Sequence, residues 1–197
     1  RVHPDGQIRD PFGNLRRVFE MGEREFFEAY AEKARGNRAS IDVAAEWRTA
    51  DSSLRGRMPE LPFSNIWCAQ QTAPRLPQGS ILHLGILNTL RSWNFFETPD
   101  SVTCFCNTGG FGIDGCVSAL IGASLASPEK LVFGVVGDLA CFYDLNSLGN
   151  RHVGANLRIM LVNNGVGTEF KNYSHQAARF GEDADEYMAA RGHFGAK

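Results

Sequence analysis

The sequence predicts an α/β fold: a mostly parallel sheet with helices on both faces. Three observations predict it. Four near-continuous apolar runs, SILHLG (80–85), SVTCFC (101–106), LVFGVVG (131–137) and LRIMLV (157–162), read as strands, and strands without polar alternation belong to sheets covered on both sides. Helix-patterned segments near 89–96, 113–126 and 143–152 separate them, as crossover units require. The runs end in GILN (85–88), CNTGGFGIDG (106–115), GDLA (137–140) and NNGVGTEF (163–170). All four ends are rich in Gly, Asn or Asp, and ligands of open α/β sheets bind at the carboxyl ends of the strands.

The first 36 residues read as a separate piece. HPDGQIRDPFG favours turns. RRVFEMGEREFFEAYAEKA then sets Val18, Phe19, Phe26, Phe27, Tyr30 and Ala31 near helical spacing. ARGNRAS is a polar break, 39–56 read as a second helix, and SNIWCAQQTAPRL as a third before Pro77. The strand-and-helix alternation begins at residue 80. There is no internal repeat. The segment after 165 is polar enough to predict disorder without a ligand.

The 197 residues are 43% apolar and 21% charged, as in a soluble globular protein. A formal charge of -2 gives no footing for nucleic acid or an anionic membrane. No run of 18 apolar residues suggests a transmembrane helix, and no signal peptide is visible. The five cysteines form no C-x-x-C pair, which argues against a disulfide framework or zinc site and predicts a cytoplasmic protein. Cys104 and Cys106 share one strand face and are expected to be small buried side chains. Trp47, Trp67 and Trp93 fall in helical patterns and are expected to pack. His83 is expected in the core, and His152 and His193 at helix ends. The start at Arg1 and the stop at GHFGAK suggest a piece of a longer protein, incomplete at both ends.

The strand ends carry the chemistry. NTGGFGIDG lets the backbone approach a ligand. A helix starting near Ile113 would aim free N–H groups at the strand ends, suiting a phosphate or diphosphate. The G-x-G-x-x-G match is poor, and no acid closes the next strand as a dinucleotide site wants. Asp138 and Asn164 lie about 26 residues apart at two strand ends. Singly, they read as a helix cap and a turn residue. Together, on neighbouring strands, a carboxylate and an amide oxygen suit magnesium held jointly with phosphate oxygens.

Gly137-Asp138, followed after this interval by Asn163-Asn164, resembles the cofactor motif of thiamine-diphosphate-dependent enzymes. The resemblance implies the thiamine-diphosphate-binding fold, with thiamine diphosphate and Mg2+ as cofactors. It implies Asp138, Asn164 and the Val166 carbonyl as metal ligands. Within that family, GDLACFYDLNSL (137–148), GIDG (112–115), GILNTLR (85–91) and RDPFGNLRRVF (9–19) resemble the menaquinone-pathway SEPHCHC synthases, the branch in which Leu139 also replaces the third motif glycine. The likeness is dense from 80 to 173 and thin from 20 to 75. It implies that 1–36 end a preceding middle domain and that 37–197 form the cofactor domain, incomplete at its C-terminus. Cofactor contacts are then expected from Gly85, Leu87, Asn88, Phe111, Gly112, Ile113, Asp114, Gly137, Asp138, Leu139, Ala140, Asn164, Val166, Gly167 and Thr168. Ile113 is the expected apolar support beneath the bent cofactor. The implied reaction is decarboxylation of a 2-oxoacid, followed by carboligation to an acceptor or protonation. The glutamate that activates the cofactor lies in an N-terminal domain supplied by a second subunit. A homodimer or homotetramer of the full-length chain is therefore expected, and this polypeptide alone is expected to be inactive. The segment after 165 would fold over the cofactor.

The substrate pocket departs from the branch. Arg91 matches an arginine that binds a substrate carboxylate. Leu87 replaces a serine, Thr108 an arginine, Glu169 an apolar residue and Tyr173 a leucine. An acid at 169 would repel an anionic substrate. A decarboxylase or carboligase with another substrate is therefore as open as the synthase itself. A non-catalytic thiamine-fold binding subunit and a nucleotide-binding α/β domain are the remaining alternatives.

Overall fold

The structure is a computed structural model that describes residues 1–35, 42–172 and 174–189. The chain divides into two compact units, Arg1–Met58 and Pro59–Lys197. The first therefore takes in the second predicted helix as well as residues 1–36.

The first unit is built from local interactions. A parallel bridge joins Val2 to Phe19. Arg1 holds Asp5 at 2.7 Å, and Asp5 also accepts the Gln7 N–H at 2.9 Å. Helix α1 (Glu23–Ala34) carries Phe26 against Phe19 and Tyr30, with ring centroids 4.9 and 4.5 Å apart. Helix α2 (Val43–Gly56) starts from the Asp42 carboxylate, which accepts the Ala45 N–H, so one of the four free amides of the first turn is satisfied. Residues 39–41 of the predicted second helix lie outside the described residues.

The second unit is the predicted α/β fold. Strands β1 (Ile81–Leu84), β2 (Thr103–Cys106), β3 (Val132–Gly137) and β4 (Leu157–Val162) form an all-parallel sheet in the order β2-β1-β3-β4. Each lies within its predicted apolar run. The chain runs outward from β1 to β2, then crosses back over β1 to β3 and on to β4. Right-handed crossovers force the helices onto opposite faces when that direction reverses. Accordingly α3 (Asn65–Thr72) and α4 (Asn88–Trp93) cover one face. Ala69, Ala73 and Trp93 there meet Leu82, Leu84 and Val135. On the other face α5 (Cys116–Ala126) buries Cys116, Val117 and Ile121 against Val136, and Leu120 against Ile81 and Val132. Burial of each such side chain stabilises by about 1.5–3 kcal/mol. Gly134 permits the close approach of α5, since a Cβ there would lie 2.1 Å from a Leu120 methyl.

Several expectations are corrected. The helix predicted from 113 starts at Cys116, because Gly115 caps it in the left-handed conformation at φ 76°. The helix predicted at 143–152 is a short helix, α6 (Asp138–Tyr143), that follows β3 without a linker, then a 3-10 turn at Leu145–Gly149. His152 consequently lies in a turn; His193 lies outside the described residues. Cys104 is exposed and Cys106 half-buried, because β2 is an edge strand. Trp47 is 72% exposed, whereas Trp93 is buried. His83 is half-buried and stacks on Phe105, centroids 5.3 Å apart. The described residues after 165 form 3-10 turns at Thr168–Lys171 and Gln176–Phe180 and helix α7 (Glu182–Tyr187), and 190–197 lie outside the described residues. The described part is tied together by Gly167 N–H to the Ala189 carbonyl at 2.7 Å and by Lys171 to Asp185 at 2.8 Å.

Candidate functional site

The reversal of chain direction between β1 and β3 leaves a crevice at their carboxyl ends, because the crossovers leave in opposite directions there. A cavity of about 520 Å3 opens at this point, within the range of small-molecule sites. Every residue expected to contact the cofactor lines it. Gly85, Leu87 and Asn88 come from the β1 tip, Phe111, Gly112, Ile113 and Asp114 from the Gly-rich turn, and Gly137, Asp138, Leu139 and Ala140 from the β3 tip. Asn164, Val166, Gly167 and Thr168 close it from the far side, with Glu169 beside them. Arg91 lines a neighbouring cavity that shares Asn88 and Thr168 with the first. Thr108 is exposed in the turn after β2, and Tyr173 lies outside the described residues.

The two motif tips are brought together by strand register. Gly137 of β3 pairs with Val162 of β4, so Asp138 and Asn164 follow on adjacent strands. Asp138 is only 3% exposed. One of its oxygens accepts the Gly165 N–H at 2.7 Å, and the other accepts its neighbour Leu139 N–H at 2.9 Å. Asn164 Oδ1 accepts the Val166 N–H at 3.3 Å. These bonds fix the side chains at the mouth of the cavity. Together with the Val166 carbonyl they make a hard-oxygen set with a single carboxylate, a donor set that could hold magnesium if ligand phosphates supply the rest. Among the described residues no cluster of three or more His, Cys, Asp or Glu offers a competing metal site. A Cβ on Gly137 would meet no protein atom within 4 Å, so a ligand has room against that backbone.

Leu87 is held at φ 66°, ψ -125° as the residue before α4. Such a conformation costs a non-glycine residue about 1–3 kcal/mol and is concentrated at functional sites. Asn88 follows it and donates to Thr168 Oγ1 at 2.6 Å, so β1 grips the segment after β4. Ile113 lines the cavity and packs against the cluster of Val117 and Val136.

The expected helix-terminal anion site needs correction. The first-turn N–H of Ser118 in α5 already donates to the Asp144 carboxylate at 2.5 Å. An internal acid therefore takes part of the role assigned to a ligand phosphate. Nothing local in the sequence marks Asp144, since its partner lies 26 residues upstream. Tyr143, Thr89 and Phe170 also line the cavity unforeseen. Tyr143 and Thr89 follow strand tips by less than two helical turns, a spacing that could have found them.

Arg91 grips both oxygens of Glu169, the Nη2–Oε1 bond being 3.2 Å. Its pKa is raised above the ordinary arginine value, chiefly by the hydrogen bond to Glu169. Burial pushes the thiols of Cys106, Cys116 and Cys141 up, so they stay protonated and unsuited to nucleophilic roles. No described helix is long and apolar enough to cross a membrane.

No family model matches the chain. Proteins named 2-succinyl-5-enolpyruvyl-6-hydroxy-3-cyclohexene-1-carboxylate synthase do. The Bacteroides fragilis protein is 40% identical over 170 residues, 86% of this chain and 30% of its own length. That of Phocaeicola vulgatus is 35% identical over 195 residues, 97% of this chain and 34% of its own. That of Desulfotalea psychrophila is 40% identical over 171 residues, 87% of this chain and 30% of its own. The chain thus spans about a third of the length of the curated relatives it matches. Over that stretch the chain is similar to these synthases.

Proposed function

We propose that this chain supplies the diphosphate- and metal-binding half of a thiamine-diphosphate- and Mg2+-dependent 2-oxoacid decarboxylase or carboligase. The observation that carries it is the register of β3 and β4, which sets Asp138 and Asn164 just beyond adjacent strand tips, lining a cavity at the reversal point of the sheet. In this reading Asp138, Asn164 and the Val166 carbonyl would hold a magnesium ion, whose charge would offset that of a diphosphate. Gly137 gives the diphosphate access to the backbone, and Ile113 supports the bent cofactor from beneath. When bound, the cofactor supplies the carbon nucleophile that attacks the 2-oxoacid carbonyl and stabilises the charge left when carbon dioxide departs. The segment from Gly165 onward, gripped by Asn88 through Thr168, excludes water from the reacting carbon.

The activating glutamate is expected from the N-terminal domain of a second subunit, in a full-length homodimer or homotetramer. Residues 1–36 are read as the end of the preceding middle domain. The chain alone is then inactive. A cytoplasmic location fits the odd, unpaired cysteines. The acceptor is left to the pocket, where Leu87, Thr108 and Glu169 depart from the synthase pattern.

The test is carbon dioxide release by the full-length protein from a panel of 2-oxoacids with thiamine diphosphate and magnesium. Cofactor-dependent release from at least one supports the reading. Release from 2-oxoglutarate joined to isochorismate would identify the menaquinone-pathway reaction. Cofactor binding without release from any 2-oxoacid favours a non-catalytic subunit, which the altered pocket residues permit.

A further inference from the structure

Arg91 stands where the resemblance expects a guanidinium to bind a substrate carboxylate, yet its fork is already filled. Both Glu169 oxygens meet it. Asn172 Nδ2 adds a third bond to Glu169 Oε2 at 3.1 Å. The Asn88 amide oxygen accepts from the same guanidinium at 3.2 Å. The second cation at this end, Lys171, is likewise held by an internal acid, Asp185, at 2.8 Å. With Nη1 and Nη2 both on Glu169 and Nη1 also on Asn88, the end-on face of the guanidinium is taken, and a second carboxylate would have to use the side-on Nε–Nη2 edge next to the first. Glu169 itself lines the main cavity, so an incoming group meets Arg91 with a carboxylate already seated on it.

We propose that Glu169 is a specificity-determining residue that occupies the carboxylate seat of Arg91, so that the pocket takes a 2-oxoacid whose far end is uncharged. This rests on reading the cavity as a 2-oxoacid site. A second carboxylate entering there must either displace Glu169 from Arg91 or sit beside it as a like charge, and both disfavour it. An uncharged tail leaves the pair intact.

The experiment uses the full-length protein with thiamine diphosphate and magnesium. The probes are two non-cleavable mimics, butyrylphosphonate and succinylphosphonate. They differ mainly in carrying a methyl or a carboxylate at the far end. Calorimetry reads their affinities without turnover, after cofactor binding has been measured in the same preparation. The unsubstituted protein is expected to bind butyrylphosphonate about tenfold more tightly, in line with one charged hydrogen bond. Glu169→Leu reverses the order by about the same factor, and Glu169→Gln shifts it the same way by less. Adding Arg91→Met to Glu169→Leu removes the gained preference for the carboxylate. Tighter binding of succinylphosphonate by the unsubstituted protein, or an unchanged order in both Glu169 variants, overturns the inference and leaves the functional reading standing. Failure of the cofactor itself to bind defeats that reading and this inference with it.

Discussion

The two units of this chain hold themselves together in different ways. In Arg1–Met58 none of the described residues is buried. Trp47, Leu54 and Val43 of α2 are 72%, 62% and 54% exposed. The ion pairs there are short-range: Arg1 with Asp5, Arg24 with Glu28, Arg55 with Asp51. Exposed pairs of this kind are screened by water and contribute little. In Pro59–Lys197, by contrast, Leu82, Val117, Leu120, Val132 and Val136 are at most 2% exposed, and parallel pairing joins residues far apart in sequence. The second unit carries its own core. The first presents apolar helix faces that its own described residues do not cover.

Substitutions sharpen this contrast. Leu120→Ala is expected to cost about 2–5 kcal/mol, from lost burial plus a cavity, read as a lowered urea midpoint. Gly134→Ala should cost about 1–3 kcal/mol, because its methyl meets Leu120 inside a packed core. Combining it with Leu120→Ala should recover much of that second loss, as expected for touching residues. At the other extreme, Trp47→Ala should move the midpoint by about 0.5 kcal/mol or less. A large effect at Trp47 would show that α2 is covered in solution.

The two units should also answer to different pH windows. Burial lowers the pKa of His83 in β1 from its ordinary 6.5. The unfolded chain therefore takes up a proton as pH falls through about 6.5 while the folded state resists it, so stability rises with pH across that window. A urea midpoint that drops between pH 7.5 and 5.5, and flattens in His83→Gln, is the expected result. Asp5 is shifted the other way: the Arg1 guanidinium and the Gln7 amide hold it well below the ordinary 3.8. Its contribution is present above about that pH and is lost only in stronger acid. The Asp5 carboxyl resonance should therefore begin to titrate only after the His83 transition is complete.

Much of the second unit was legible because apolar runs and Gly-Asp and Asn-Asn tips are local signals. The four strands fall inside the four runs, and the residues named from the motifs converge on one cavity. What escaped was either abrupt or distant. Helix α6 begins on Asp138 with no linker after β3, so the strand and helix patterns merged. Helix α5 starts late because Gly115, which looked like turn material, is itself the cap. The Ser118–Asp144 and Arg91–Glu169 contacts span 26 and 78 residues. No periodicity encodes such pairs; only the closure of the sheet creates them. Glu169 illustrates this best. Read alone it is an isolated acid, whereas in the fold it is an acid seated on Arg91.

The central claim is that Asp138 and Asn164 hold the metal of a thiamine diphosphate site. Titrating thiamine diphosphate into the full-length protein in the presence of magnesium, followed by calorimetry, tests it most directly. The account predicts saturable binding that requires the metal and is lost, or weakened by about a hundredfold or more, in Asp138→Ala, the substitution removing a ligating charge. Equal binding by the variant and the unsubstituted protein, or binding indifferent to magnesium, would contradict it.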